Sequence, residues 1–118
     1  VEERLSRGFD IILEIDWQGA QQVKRLLPST QAIFILPPSR EALLQRLKHR
    51  AQDDLAIIEK RMAVAVEEMS HYVESDYLVV NEDFAQALRE LQAIIVSQRL
   101  RTTRRQDELG NLLQDLLN

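Results

Sequence analysis

Nearly continuous apolar runs alternate along the chain with segments whose apolar residues recur at helical spacing. The runs at residues 9–15, 32–36 and 77–81 are apolar at both parities, which predicts strands buried on both faces. After the first run, Ala20 and Val23 follow the spacing of one helix face. The predicted helices cover residues 2–7, 17–27, 39–50, 54–72, 84–104 and 109–117.

Residues that begin or end helices stand at these boundaries. Ser39 and Asp83 are suited to cap the helices that follow them, and either Asp53 or Asp54 can cap the helix between them. The predicted helix stops are Gly8 and Pro28, whereas Pro37 and Pro38 stop the apolar run at 32–36. Alternating strands and helices predict an α/β fold with a parallel sheet in three layers. Ligands of such sheets bind at the carboxyl ends of the strands.

Composition narrows the class of protein. The chain has 118 residues, of which 45% are hydrophobic and 29% charged, as in soluble globular domains. No run reaches the length of a membrane span, and cysteine is absent, which fits a cytoplasmic protein. A net charge of -4 argues against a general nucleic-acid binder. The opening VEERLSRG, without Met, looks like the middle of a longer protein or a processed N-terminus.

Two carboxylates end the first apolar run. Glu14 and Asp16 share a parity, so both side chains leave one face of the predicted strand. Carboxylates at a buried strand end need donors, a cation or a ligand. They would suit recognition of an amine-bearing base edge, or magnesium bound through water. The alternative is structural: Asp16 caps the next helix and Glu14 pairs with a basic neighbour.

A basic group surrounds the polar segment 51–54. Arg46 and Arg50 share a helix face, and Arg50 and Arg61 flank the segment, so they could converge on one anion if the two helices form a hairpin. A solvated charged face is the alternative. His49 and His71 have no third ligand at metal-site spacing, so we predict no metal site there, and we interpret Trp17 as a packing residue.

The ordered motifs resemble one family. ILEIDWQGAQQVK, IFILPPS, RLKHRAQDD and EKRMAVAVEEMSHYVESDYLVVN are similar, across essentially the whole chain, to the C-terminal portion of bacterial guanylate kinase. The resemblance implies a P-loop nucleoside-monophosphate kinase fold. It also implies transfer of the γ-phosphoryl group of ATP to GMP, with Mg²⁺, to give ADP and GDP. ATP and GMP are then the expected partners, with neither nucleic acid nor membrane.

The resemblance also implies roles for the two acids. Glu14 stands where the family usually has an aspartate that contacts the guanine edge, and Asp16 matches the second acid, close to the phosphates and metal. Two residues depart from the family pattern. Glu14 is one methylene longer than aspartate, and Ala51 stands where a glycine commonly follows the lid arginine. These departures leave the guanine geometry and the stiffness of the lid open.

The resemblance implies roles for five further residues. Arg50 and Arg61 match lid arginines that close over the phosphates, and Arg46 matches another basic position of this lid region, residues 46–61. Asn81 and Glu82 match the place where adenine is held. Such a site fits phosphoryl transfer, which depends on positioning and charge stabilisation.

The family's phosphate loop and most of its GMP-binding lobe have no counterpart in the sequence, whose glycines are far apart. A core strand is then missing between those at 9–15 and 32–36. We therefore expect the chain alone to be inactive, with exposed strand edges that favour association. Two alternatives stay open: a guanylate-kinase-like interaction module without catalysis, and an oligomerising role for the C-terminal helices within 84–117.

Overall fold

The structure is a computed structural model that describes residues 10–51 and 54–118. The helix predicted at 2–7, its stop at Gly8 and the capping candidate Asp53 lie outside these residues. The elements are α1 (Trp17–Leu26), β1 (Ile33–Leu36), α2 (Arg40–Ala51), α3 (Leu55–Ser70), a 3₁₀ helix (His71–Glu74), β2 (Tyr77–Val80), α4 (Phe84–Arg99), α5 (Thr102–Glu108) and α6 (Gly110–Leu117).

Strands β1 and β2 pair in a two-stranded sheet. The amide of Tyr77 donates to the carbonyl of Ala32 at 3.1 Å, and the amide of Asn81 donates to the carbonyl of Leu36 at 2.8 Å. The bonded partners advance together along both strands, so the pairing is parallel. The predicted α/β class, its parallel pairing and the strands near 32–36 and 77–81 are confirmed.

The strand predicted at 9–15 is not formed by its described residues, 10–15. They carry neither helix nor strand, and Ile12, Leu13 and Ile15 are exposed by 73%, 47% and 48%. A strand requires a hydrogen-bonded neighbour. In the described sheet β1 and β2 pair with each other, and residues 10–15 are not a third strand of it. The apolar run therefore indicates a segment suited to a sheet but does not supply its partner.

Three helices begin at the predicted capping residues. The Ser39 hydroxyl accepts a hydrogen bond from the amide of Ala42 at 3.0 Å. The Asp54 carboxylate accepts from the amide of Ala56 at 3.2 Å, and Asp83 caps α4 in the same way. These bonds satisfy amide donors that the first turn of a helix leaves unpaired.

The helix predicted at 84–104 is wrong in its length. Helix α4 ends at Arg99, and Arg101 adopts an extended backbone, with φ -63° and ψ 142°, before α5 begins. No Gly or Pro marks this break in the sequence. The helix predicted to reach 72 also ends early, because α3 gives way to the 3₁₀ helix after Ser70.

The described residues divide into two compact units. The first holds those up to Phe34 together with Leu44–Leu78, and the second holds Ile35–Leu43 and Val79–Asn118. Ile58 is buried in the first unit, and Val79 and Ala87 are buried in the second. Of the inner face predicted for α3, Ile58 is buried, Met62 and Met69 are half-buried, and Ile57 and Val66 are exposed.

Candidate functional site

Asp16 forms the turn from which α1 begins. Its backbone is extended, with φ -78° and ψ 176°, and its Oδ1 accepts a hydrogen bond from the amide of Gly19 at 2.8 Å. A Cβ at Gly19 would lie 3.2 Å from Asp16 Oδ1 and 3.2 Å from the Cβ of Ile15. Glycine at this position therefore permits the close approach of the cap. The capping interpretation of Asp16 is confirmed, and Oδ2 has no hydrogen bond among the described residues.

Glu14 is exposed and forms no ion pair within the described residues. The pairing with a basic neighbour that the structural alternative expected is thus not seen there. One residue, Ile15, separates Glu14 from the capping residue Asp16, in a segment without helix or strand. Its guanine-contacting role stays a prediction.

The predicted lid arginines lie in the first unit, on two helices. Arg46 and Arg50 are exposed on α2, and Arg61 is exposed on α3. Within the described ranges these guanidinium groups make no hydrogen bond or ion pair. The segment that joins the helices includes residues 52 and 53, which lie outside those ranges. Convergence of the arginines on one anion remains a prediction, and so does any effect of Ala51 on the lid.

Asn81 and Glu82 follow β2 in the second unit. The amide of Asn81 is held by the carbonyl of Leu36, the side chain of Glu82 is exposed, and Asp83 next to it caps α4. The adenine-binding role of this segment stays a prediction.

A cluster around Trp17 and His71 was missed by sequence reasoning. Their rings stack with centroids 3.5 Å apart and planes 9° apart. His71 Nε2 lies 3.2 Å from a carboxylate oxygen of Glu67, and Nδ1 bonds to Glu74. The spacing of Glu67 and Glu74, four residues before and three after His71, is the signal that could have revealed the ion pairs. Trp17 is a packing residue, as interpreted, with an aromatic partner 54 positions away.

Two further bonds tie α1 to this cluster. The amide of Trp17 donates to Glu68 Oε1 at 3.0 Å, and the Gln21 amide donates to Glu74. Helix α1 is therefore attached to the end of α3 and to the 3₁₀ helix through its first residues.

The cluster shifts the titration of its members. Desolvation lowers the pKa of His71, but hydrogen bonds to Glu74 and Glu67 and the charges of both carboxylates raise it, and the balance lies above its ordinary value of 6.5. Hydrogen bonds from Gln21 and His71 lower the pKa of Glu74 against the opposing effect of desolvation. Both shifts favour the charged forms.

A cavity of about 440 Å³ adjoins the cluster within the first unit. Asp16, Trp17 and His71 all line it. Its other polar lining includes Gln21, Lys24, Arg25, Glu68 and Glu74. The acid predicted to lie near phosphate and metal thus shares a cavity with the imidazole of His71.

The described residues contain no group of three acidic, histidine or cysteine side chains that could hold a metal ion. Nor does any helix in the described ranges have both the length and the apolar character needed to cross a bilayer.

Comparison with known proteins decides the family. The family model described as guanylate kinase matches residues 1–98. The chain belongs to the guanylate kinase family. The resemblance drawn from the DWQG, PPS and lid motifs is confirmed.

Curated members of the guanylate kinase family cover the chain almost completely. Guanylate kinase of Methylococcus capsulatus is 57% identical over 117 residues, which is 99% of this chain and 57% of that protein. Guanylate kinase of Saccharophagus degradans is 54% identical over 118 residues, 100% of this chain and 58% of that protein. The chain spans little more than half the length of these curated relatives.

A solved guanylate kinase has the same fold over most of the chain. The crystal structure of guanylate kinase from Anaplasma phagocytophilum matches with a TM-score of 0.73 at 31% identity. The match covers 87% of this chain and 48% of that one. The described elements are thus an incomplete P-loop kinase fold, as predicted.

Proposed function

We propose that the protein of which this chain is part transfers the γ-phosphoryl group of ATP to GMP, giving ADP and GDP. One observation carries the proposal: the guanylate kinase family model matches residues 1–98. The 57% identity to a curated guanylate kinase supports it. The chain spans only part of that relative, so we propose that the 118 residues alone are inactive.

Glu14 and Asp16 recognise GMP in this proposal. Glu14, exposed and unpaired within the described residues, accepts hydrogen bonds from the guanine edge. Asp16 lies close to the phosphates and the metal. Its cap uses Oδ1, so Oδ2 is available to accept a hydrogen bond from a metal-bound water.

Magnesium enters the proposal with ATP. Mg²⁺ usually keeps several waters and binds through one or two carboxylates plus substrate phosphates. A lone carboxylate at Asp16 fits that pattern, since the described residues hold no group of three suitable side chains. When bound, the ion would neutralise charge that develops on the transferring phosphoryl group.

The exposed arginines supply the remaining positive charge. Arg46, Arg50 and Arg61 close over the phosphates, where guanidinium groups donate paired hydrogen bonds. Asn81 and Glu82 hold the adenine ring of ATP. A cytoplasmic location and the lack of nucleic-acid partners stay predictions of the sequence.

The test compares the 118-residue chain with a chimera that adds the portion of the Methylococcus capsulatus relative that this chain does not span. A coupled assay with ATP, GMP and Mg²⁺ measures turnover. We expect turnover by the chimera and none by the chain alone. Turnover by the chain alone would contradict its inactivity, and a folded chimera without turnover would contradict the kinase. Nucleotide binding without turnover would favour the interaction module.

Arginine variants of the chimera test the site. We expect Arg50→Ala and Arg61→Ala each to lower kcat by about 10³-fold, the lower end of the effect of arginines that stabilise phosphoryl transfer. Arg89→Ala is the matched control, because Arg89 contacts Gln86 on its own helix at 2.6 Å. Equal activity of all three variants would remove the lid assignment while leaving the family intact.

A further inference from the structure

The two ring nitrogens of His71 both face carboxylate oxygens. Nδ1 bonds to Glu74, and Nε2 lies 3.2 Å from Glu67. Ionised carboxylates only accept hydrogen bonds, and a neutral imidazole has a single N–H to donate. Both contacts are therefore satisfied at once only by the imidazolium, which donates from each nitrogen.

The stacking partner of His71 also favours the cation. The face of an indole attracts a positive charge, and the ring of Trp17 lies 3.5 Å from that of His71, almost parallel to it. His71 is also the C-terminal capping residue of α3, where unpaired carbonyl groups favour positive charge. Three features thus favour the positively charged form of His71: the two carboxylates, the face of the indole ring and the C-terminal end of α3.

Other charged groups around His71 do not reverse this preference. On α3, Glu67 and Glu68 add negative charge, and on the 3₁₀ helix Glu74 does the same. On the side of α1, the same cavity is lined by Asp16, Lys24 and Arg25. The ammonium group of Lys24 is paired with Asp76 at 3.1 Å.

The imidazolium of His71 contacts the first residue of α1. Trp17 is the first residue of α1, and Asp16 is its N-cap. The stack on His71 fixes the ring of Trp17, and the Glu68 carboxylate fixes its amide. Any displacement of Trp17 would therefore move the Asp16 turn.

We propose that protonated His71 is a positioning residue that clamps Trp17, and through it the Asp16 turn, against the end of α3. Loss of the proton removes one donor and the charge on the stacked ring, so the clamp loosens as pH rises. The clamp itself does not depend on catalysis. Its effect on turnover rests on the proposed kinase function.

Trp17 reports the clamp directly, because it is the only tryptophan of the sequence. A stacked imidazolium quenches indole emission, so we expect a step in fluorescence of the full protein as pH rises through the folded-state pKa of His71, which lies above its ordinary value of 6.5. Trp17→Phe measures the background, and His71→Gln should lose the step. A step that persists in His71→Gln, or a flat titration of the unmodified protein, would overturn the proposal.

Variants of the carboxylates test the same clamp while keeping His71. Glu74→Gln and Glu67→Gln remove negative charge beside the ring, so the midpoint of the step should move to lower pH. Glu59→Gln, an exposed position on α3, is the matched control and should leave the midpoint unchanged. Equal midpoints in all three variants would contradict the role of the carboxylates.

An arginine variant separates positioning from packing. His71→Arg supplies a planar cation with several donors that does not titrate near neutrality. In the proposed kinase reaction, kcat should fall above the fluorescence midpoint in the unmodified chimera, but stay flat there in His71→Arg. A kcat profile that keeps the same pH dependence in His71→Arg would overturn the positioning role. If no variant turns over GMP, the kinase proposal fails, and the fluorescence step still decides the clamp.

Discussion

Helices α1 and α6 are both short and amphipathic, yet the chain holds them differently. Trp17 and Lys24 of α1 bond to side chains 51 and 52 positions away. In the α5–α6 segment, Arg105 pairs with Glu108 three residues along, while Leu116 and Leu117 are exposed by 67% and 83%. An apolar stripe thus predicts a helix but not which part of the protein packs against it. Distant polar partners mark the helix that is integrated into the fold.

Among the variants that compare α1 with α6, removal of the Trp17 ring should lower the free energy of unfolding most. Trp17→Ala deletes the stack on His71 and leaves the imidazolium without its aromatic face. We expect a loss of about 3 kcal/mol in the free energy of unfolding, the lower end for truncation of a large aromatic residue. Urea unfolding followed by far-UV circular dichroism measures it.

The control for Trp17→Ala is Leu117→Ala, which truncates an exposed side chain of α6. Equal losses in the two variants would remove the distinction between an integrated and a locally held helix.

The next effect should come from Asp76, which is bonded to Lys24 in the last turn of α1. Its Oδ2 accepts from the amide of Ala32 at 2.8 Å and from Lys24 at 3.1 Å. Asp76→Ala leaves both donors without this acceptor and should cost about 1–3 kcal/mol. Asp76→Asn keeps an acceptor for Ala32 but not the charge, so it should lose less. An equal loss in both variants would assign the whole effect to the ion pair.

The pH dependence of stability tests the same contact of Asp76. Desolvation raises the pKa of Asp76, but the hydrogen bonds from Ala32 and Lys24 and the charge of Lys24 lower it below its ordinary value of 3.8. The stabilisation is therefore present above pH 3.8 and is lost as pH falls through the folded-state pKa. Thermal unfolding across this acid range should show a smaller loss in Asp76→Asn than in the unmodified protein.

Glu68 should have a smaller effect, because among the described residues its side chain bonds only to the amide of Trp17. Glu68→Ala should cost about 1 kcal/mol, a typical value for one hydrogen bond. Glu68→Gln retains an acceptor oxygen and should stay within about 0.5 kcal/mol of the unmodified protein. Urea unfolding of both variants gives the comparison. A loss in the free energy of unfolding that exceeds about 0.5 kcal/mol for Glu68→Gln would show that charge, not hydrogen bonding, holds the start of α1.

The smallest effect should come from the leucines of α6. Leu116→Ala should change the free energy of unfolding by less than about 0.5 kcal/mol, as for most exposed positions. Chemical denaturation at two protein concentrations is the measurement. A larger loss that grows with protein concentration would indicate that α6 is covered by a second copy, in line with the oligomerising alternative.

Local chemistry was enough to predict most helix starts. Asp16, Ser39, Asp54 and Asp83 each accept an amide of the first turn, a bond between near neighbours in sequence. The break at Leu100 escaped prediction because no Gly or Pro marks it. The sequence supplies the capping pattern but no signal for this interruption of the helix.

Contacts between distant residues limited the remaining predictions. The run at 10–15 reads as a strand, but pairing depends on a neighbour that its own residues do not specify. The stack of Trp17 on His71 joins positions 54 apart, so neither residue indicates the other. Motif resemblance located Glu14, Asp16 and the arginines by analogy with the family pattern, because no contact between these residues marks them in the sequence.

The pair Ala32 and Asp76 closes a ring of hydrogen bonds across 44 positions. The Ala32 amide donates to the Asp76 side chain, and the Asp76 amide donates back to the Ala32 carbonyl at 2.8 Å. A shift of one residue between β1 and β2 would break both bonds, so the ring fixes the strand register. Contacts of such sequence separation form slowly, because a long loop must close first. We therefore expect the helices to form before this closure sets the register of the sheet.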